Sequence, residues 1–239
     1  GECTPYARYG EDVESVLAQL ASVQSAVENG IDRRELQMRL PAGAARNAVD
    51  CALWDLICKQ TNTTLWEQCN VPQPTQIRMA QTVSIGSPEQ MASTALSLSQ
   101  QGATLLKIKL DDHLITERLM AIRAAVPETT LIVDANESWQ AEGLAARCQL
   151  LADVGVAMLE QPLAAKQDDA LAHFIHPLPI CADESCHTCS DFSALKGRYD
   201  MVNIKLDKTG GLTEALALRS LAQKEGMAIM LGCMICTSR

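Results

Sequence analysis

The sequence predicts an α/β protein built on a parallel β/α repeat of TIM-barrel type, and three observations carry that prediction. Residues Lys109, Asp134, Glu160, Asp183, Lys205 and Met230 each close an apolar, strand-like run, and they follow one another at intervals of 22 to 26 residues. Helix-length segments fill the intervals, which is the rhythm of strands alternating with helices. Three consecutive ends are carboxylates, and the runs beside them carry lysines: Leu105–Leu110 reads LLKIKL and Met201–Leu206 reads MVNIKL. In such a barrel the C-terminal strand ends open on one face, so residues far apart in sequence meet at one mouth.

The elements follow in order. Met79–Ile85 reads as the first strand. Ser87-Pro88-Glu89 then starts a helix towards Gln101, with Pro at its first turn, and Gly102 ends it. Leu105–Leu110 is the second strand, followed by a helix over Leu114–Ala125. The third, Leu131–Asp134, leads to a helix over Ala141–Val154, and the fourth is Val156–Glu160, stopped by Gln161-Pro162. A weakly patterned helix spans Asp168–Phe174, and Ile180–Asp183 is the fifth strand, with a short helix at Asp191–Leu195. Met201–Leu206 is the sixth, passing through a Gly210-Gly211 turn to the helix Leu212–Lys224, and Met227–Leu231 is the seventh. One more interval would set an eighth strand beyond Arg239, so the chain reads as part of a longer protein. Residues 1–75 lack this rhythm. Helices are expected at Asp12–Glu28, with Val13, Val16, Leu17, Leu20, Val23 and Val27 inward, at Arg33–Leu40, and at Ala42–Lys59, packed on a stripe of Ala48, Ala52 and Leu56. Asn47, Asp50 and Asp55 read as solvated or locally bonded, and Asn70–Pro74 as a linker.

Composition narrows the function. A chain of 239 residues can bury a substantial core. Its net charge of −9 opposes a nucleic-acid binder. No apolar run approaches the roughly 20 residues that cross a bilayer. Many of the ten cysteines lie in apolar runs, where a reduced thiol packs as a small hydrophobe, which implies a reducing, cytoplasmic compartment. Cys186–Cys189 and Cys233–Cys236 match CxxC, but 43 residues separate the pairs, too many for a zinc ribbon, and incidental cysteines are the better reading. The four histidines are scattered and read as surface or packing residues. A homo-oligomer is compatible with the sequence.

Strand alternation places Lys107 with Lys109, Asp134 with Asn136, and Asn203 with Lys205 on common faces. Buried charges are costly unless paired or bound to metal, so these repeating polar positions need a shared cause. A catalytic site is one, and a structural ion-pair network is the other. Three carboxylates supply hard oxygens suited to Mg²⁺. A cation there would stabilise the enolate formed when an α-proton leaves a carboxylate substrate. A lysine with its pKa lowered by neighbouring cations or partial burial can take that proton, and a second lysine across the barrel would return it.

Lys107-Ile-Lys109, Asp134-Ala-Asn136, Glu160-Gln-Pro162, Ala182-Asp183-Glu184-Ser185 and Asn203-Ile-Lys205 through Gly210-Gly211 resemble the muconate-lactonizing subgroup of the enolase superfamily. That superfamily's pairing of a Lys or His base with Mg²⁺ is a standard example of tuned acid/base chemistry. The resemblance runs along the whole chain, through Pro41–Arg46 and Gly232–Cys236, and within the subgroup it points to the dipeptide epimerases of muropeptide recycling. It implies a modified (β/α)7β barrel over residues 76–239 and the remainder of an α+β capping domain over residues 1–75. It implies Mg²⁺ held by Asp134, Glu160 and Asp183, and acid/base roles for Lys109 and Lys205. Lys107, Thr82 and Met234 would contact substrate, with Asn136 and Asn203 behind them. The substrate implied is a dipeptide, epimerised at the Glu residue of L-Ala-Glu. The family's closing loop and its eighth-strand acidic pair would lie beyond the two ends of this sequence. Cycloisomerase and o-succinylbenzoate synthase chemistry on the same framework, or a metal-binding fragment without activity, are the alternatives.

Overall fold

The structure is a computed structural model that describes residues 1–234. Seven strands form one parallel sheet in the order β1-β2-β3-β4-β5-β6-β7, as the spacing predicts. The described residues fall into two compact units. One holds Gln76–Cys186 and Ser193–Val202, and the other holds Gly1–Thr75, His187–Phe192 and the chain from Asn203 onward.

The second of these units opens with helices. α1 (Val13–Glu28) starts at a capping box in which Asp12 accepts from the Ser15 backbone at 2.7 Å and Ser15 Oγ accepts from Asp12 N at 3.0 Å. α2 (Arg33–Arg39), α3 (Ala44–Thr61) and the short α4 (Leu65–Gln68) follow. Residues 1–75 contain no strand, and α4 lies between the expected helix Ala42–Lys59 and the expected linker Asn70–Pro74. Val16 and Val23 of α1 are buried with Ile31, Leu36, Leu40, Ala44 and Ala45. Val13 and Leu17, expected inward, are 65% and 59% exposed.

The buried face of α3 differs from the expected stripe. Ala48 and Ala52 are half-buried and Leu56 is exposed, while Arg46, Asn47 and Asp50 are buried. Hydrophobic periodicity misses this face because three polar residues share it with Ala44, Ala45 and Trp54. Arg46 donates to the carbonyls of Thr209 (2.7 Å) and Gly210 (3.2 Å), which end the short helix α9 (Leu206–Thr209). Asp50 accepts from the Thr213 backbone at 3.0 Å and from the Thr213 hydroxyl at 2.5 Å. Thr213 lies in the first turn of α10 (Leu212–Lys224), whose N-cap is Gly211 and so has no capping side chain of its own. Asp50 is therefore a cap supplied from 163 residues away, not the solvated or locally bonded group expected. Asp55 does bond locally, to Lys59. Gly210 and Gly211 both have positive φ, and a Cβ on Gly211 would lie 2.5 Å from Asp50, so the glycine pair is the contact surface for α3 as well as a turn.

In the other unit β1 (Gln81–Val83) is shorter than the expected Met79–Ile85. It is the edge strand of the sheet and pairs only through Gln81–Val83 with Leu106–Ile108 of β2 (Leu105–Lys109), which leaves Met79 and Ile85 exposed. α5 (Pro88–Gln100) begins with the Ser87–Gln90 capping box and Pro88 in its first turn, as expected, and packs on β1 and on α6 (Ile115–Ala125). β3 (Thr130–Asp134), α7 (Leu144–Asp153), β4 (Val156–Glu160), β5 (Ile180–Ala182), the one-turn α8 (Phe192–Leu195) and β6 (Met201–Ile204) complete the repeat. Asp169–His173 is a 3-10 turn and not the helix expected at Asp168–Phe174. β6 is one strand shared by both units, and β7 (Ala228–Leu231) lies beside its Asn203-Ile204 end, where Gly232 N donates to Ile204 O at 3.0 Å. Leu106, Ile108, Leu131, Val133 and Leu159 are fully buried and form the centre of the sheet's core.

Candidate active site

Strand register does most of the positioning. Lys109 of β2 stands opposite Asp134 of β3, Asp134 opposite Glu160 of β4, and Glu160 opposite Cys181 of β5, two residues before Asp183. On β2, Leu106 and Ile108 are fully buried, so Lys107 and Lys109 point to the other face, as alternation predicts. One bulge is decisive for the acids. Leu131 pairs with Val156 but Ile132 pairs with Met158, so Ala157 is an extra residue in β4. Were the pairing regular through Ala157, Asp134 would face Leu159; because Ala157 is bulged out of the pairing, Asp134 faces Glu160.

Charges converge on these acids. The Lys107 ammonium lies 2.8 Å from Asp134 Oδ2 and 2.7 Å from Glu160 Oε2. Lys109 lies 2.7 Å from the same Asp134 oxygen and donates to Asn136 Oδ1 at 2.6 Å. The Asn136 backbone N–H donates to Asp134 Oδ1 at 2.9 Å, a short local bond helped by the positive φ of Asn136. Asp134, Glu160 and Asp183 are 1%, 0% and 2% exposed. Burial, then the negative charge of Asp134, raise the pKa of Glu160; Asp183 adds to this, and Lys107 only partly opposes it. For Lys107, burial favours the neutral amine, but Glu160 and Asp134 outweigh it and hold the group protonated above the usual lysine range.

Among the described residues no three His, Cys, Asp or Glu side chains converge on one point as metal ligands; Lys107 bridges the two nearest acids. The donor set nonetheless fits a hard divalent cation. Three carboxyl groups are buried at neighbouring strand ends, and the negative charges of Asp134 and Asp183 add to the burial that raises Glu160.

The remaining expected residues fall as follows. Thr82 is exposed and in register with Lys107, hence on the same face of the sheet. In the other unit, Asn203 is fully buried, and Lys205, 8% exposed, occupies the N-cap position of α9 immediately after β6, without a capping side-chain bond. A Cβ on Gly232 would lie 2.5 Å from Asn203 Oδ1 and 2.9 Å from Lys205 Cε, so this glycine lets the end of β7 pass close to both. Met234 is half-buried, and its backbone hydrogen-bonds Asp207. Cys236, in the second CxxC pair, lies outside the described residues, and the cysteines recorded among those described are free thiols.

Sequence reasoning missed Gly232, Lys208 and Gln161. Lys208 is 2% exposed and donates to Asn203 O at 3.0 Å. Gln161, fully buried, has φ +36 and spans the ends of β4 and β5. Its place beside Glu160 in the Glu160-Gln-Pro162 motif was the available signal for it. Nothing local marks the other two.

A parallel β/α sheet with lysines and buried carboxylates at its strand ends offers proton-transfer groups beside hard oxygen donors, and likeness to known enzymes makes the chain an isomerase of the racemase and epimerase type. Residues 1–68 match the mandelate racemase / muconate lactonizing enzyme N-terminal domain, and residues 90–238 match the enolase C-terminal domain-like family. The chain belongs to this enolase-superfamily group. It is 66% identical over 239 residues to an L-Ala-D/L-Glu epimerase of Escherichia coli (strain K12), covering 100% of this chain and 74% of that protein. A solved L-Ala-D/L-Glu epimerase superposes with a TM-score of 0.96 at 66% identity, over 99% of this chain and 74% of that one. A dipeptide epimerase from Enterococcus faecalis V583, solved with Mg and the dipeptide L-Leu-L-Tyr, gives 0.85 at 30% identity, over 94% and 67%.

Proposed function

We propose that this protein is a Mg²⁺-dependent dipeptide epimerase that inverts the Glu α-carbon of L-Ala-D/L-Glu by 1,1-proton transfer, in the cytoplasmic recycling of muropeptides. Residues 1–75 would be the remainder of a capping domain and residues 76–239 the catalytic barrel. The observation that carries this reading is the in-register row Lys109–Asp134–Glu160, its Asp134–Glu160 step set by the Ala157 bulge, backed by likeness to an epimerase at 66% identity.

Asp134, Glu160 and Asp183 would hold the cation, which supplies positive charge to the carboxylate oxygens of the substrate when bound. Lys109 and Lys205 serve as the acid/base pair, one lysine for each epimer: the free amine takes the α-proton and the opposite ammonium returns one. Asn136 holds the Lys109 amine by accepting its hydrogen bond, and Asn203 supports Lys205. Lys107, which the two acids keep charged, attracts the substrate carboxylate, while Thr82 and Met234 contact the remainder of the dipeptide.

The test is chiral chromatography of L-Ala-L-Glu incubated with metal-free protein, with and without added Mg²⁺. Conversion to L-Ala-D-Glu only when Mg²⁺ is present is the expected result. An unsaturated product would replace epimerisation with elimination, and full activity of the chelated protein would remove the cation from the reading.

A further inference from the structure

Behind the acidic strand ends lies a buried polar chain that the proposed chemistry does not use. Gln161 Oε1 accepts the backbone N–H groups of Asp183 (2.9 Å) and Ser185 (3.1 Å). Gln161 Nε2 faces three acceptors: Leu163 O at 2.8 Å, Ser185 Oγ at 2.8 Å and Tyr199 Oη at 2.9 Å. Both hydroxyls also reach Asp168 Oδ2, each at 2.7 Å, and Arg198 Nη1 donates to Asp168 Oδ1 at 2.9 Å.

Proton arithmetic gives this chain a direction. A carboxylate only accepts, so Tyr199 and Ser185 each spend their single proton on Asp168. Their oxygens can then only accept from Gln161. The amide must therefore present Nε2 to the hydroxyls and Leu163 O, and Oε1 to the Asp183–Ser185 turn; the flipped amide would set its oxygen against three acceptors and its NH₂ against two N–H donors. Asp168, through the two hydroxyls, thus reinforces the Gln161 orientation that Leu163 O and the Asp183 and Ser185 N–H groups also require, and Gln161 in turn holds the backbone at Asp183. The positive φ of Gln161 is consistent with a residue whose surroundings over-determine its conformation.

Building on the reading of Asp183 as a cation ligand, we propose that Asp168 and Tyr199 are positioning residues that act through Gln161 to hold Asp183 in its metal-binding orientation. Outer partners that orient ligands change metal affinity by about 10–100-fold when removed.

The experiment is direct Mn²⁺ binding to the 239-residue chain, by electron paramagnetic resonance, for the parent, Asp183→Asn, Asp168→Asn and Tyr199→Phe, with thermal midpoints recorded in parallel. Tyr199→Phe keeps the ring, so it carries the test even where Asp168→Asn fails to fold. Asp183→Asn should lose binding, and Tyr199→Phe should weaken it about tenfold. In turnover, the metal concentration for half-maximal rate should rise while the rate at saturating metal recovers most of the parent value. If Asp183→Asn binds Mn²⁺ like the parent, the metal-site reading fails and this inference with it. If Asp183→Asn loses binding but Tyr199→Phe lowers only the thermal midpoint, the metal-site reading survives and this inference is overturned.

Discussion

The Lys107 ammonium pairs with the fully buried Glu160 carboxylate at 2.7 Å, and the same ammonium reaches Asp134 at 2.8 Å. It is thus the counter-ion of two acids that share no solvent. Removing one partner of a buried ion pair leaves an uncompensated charge, at a cost of about 3–5 kcal/mol. Lys107→Met should therefore destabilise the metal-free protein by about that amount in urea unfolding. Mg²⁺ should raise the thermal midpoint of the variant more than that of the parent, since it would neutralise the same acids. Equal shifts in both proteins would separate Lys107 from the metal-binding acids.

Gly232 gives a test of Lys205 that leaves the lysine in place. An added methyl would press on Asn203 Oδ1 and Lys205 Cε, at 2.5 and 2.9 Å before any adjustment. A displacement near 1 Å at a reacting group can cost about 100-fold. Gly232→Ala should lower kcat by about 10–100-fold with circular dichroism unchanged. An unchanged kcat would show that the Lys205 side chain has room to spare.

These two cases show what was legible in the sequence. Lys107, Lys109, Asp134 and Glu160 were found because strand periodicity is local and buried charge is conspicuous within it. The pairing of Asp134 with Glu160 was not, because it turns on one bulge at Ala157 that leaves no mark in an apolar run. The Pro88 helix start could be read from its capping residues, whereas α9 and the shortened β1 depend on which neighbours are available. Gly232, Asp50 and the Gln161–Tyr199 link act over long separations in the chain, where pattern carries no information. The inward face of α3 was misread for a related reason: Arg46, Asn47 and Asp50 are buried on it beside Ala44, Ala45 and Trp54.

Asp50 provides the corresponding test of the fold. It caps α10 through Thr213 from a fully buried position, and Trp54 Nε1 bonds the same Thr213 hydroxyl at 2.9 Å. Asp50→Ala should destabilise the protein by about 1–3 kcal/mol, the range for a buried hydrogen-bonding group left without its partner. The catalytic rate at 25 °C should not change. Chemical denaturation with a parallel rate measurement checks both.

His176 and Asp200 set a pH-dependent part of the stability. His176 Nδ1 lies 2.7 Å from Asp200 Oδ2, which also accepts from Ile180 N at the start of β5. The hydrogen bond to Asp200 chiefly raises His176 above 6.5. Burial would raise Asp200, but the bonds from His176 and Ile180 prevail and lower it below 3.8. A raised histidine stabilises fully below its unfolded pKa and loses that contribution as pH rises through its folded value. A lowered aspartate stabilises above its unfolded pKa and loses that contribution as pH falls through its folded value. The stability difference between the parent and His176→Gln should be largest between about pH 4 and 6.5 and should shrink above that window. A difference that grows with pH would contradict the pairing.

Proton exchange at the Glu α-carbon tests the central claim most directly. L-Ala-L-Glu and L-Ala-D-Glu are each incubated in D₂O with Mg²⁺ and followed by proton NMR, using the parent, Lys109→Ala and Lys205→Ala. The account predicts that the parent places deuterium at the Glu α-carbon of both isomers. It predicts that each lysine variant abolishes inversion, by at least about 10²-fold, and that each variant retains exchange with no more than one isomer, a different one for each lysine. Inversion by either variant at the parent rate, or no deuterium in the parent with Mg²⁺ present, would contradict it.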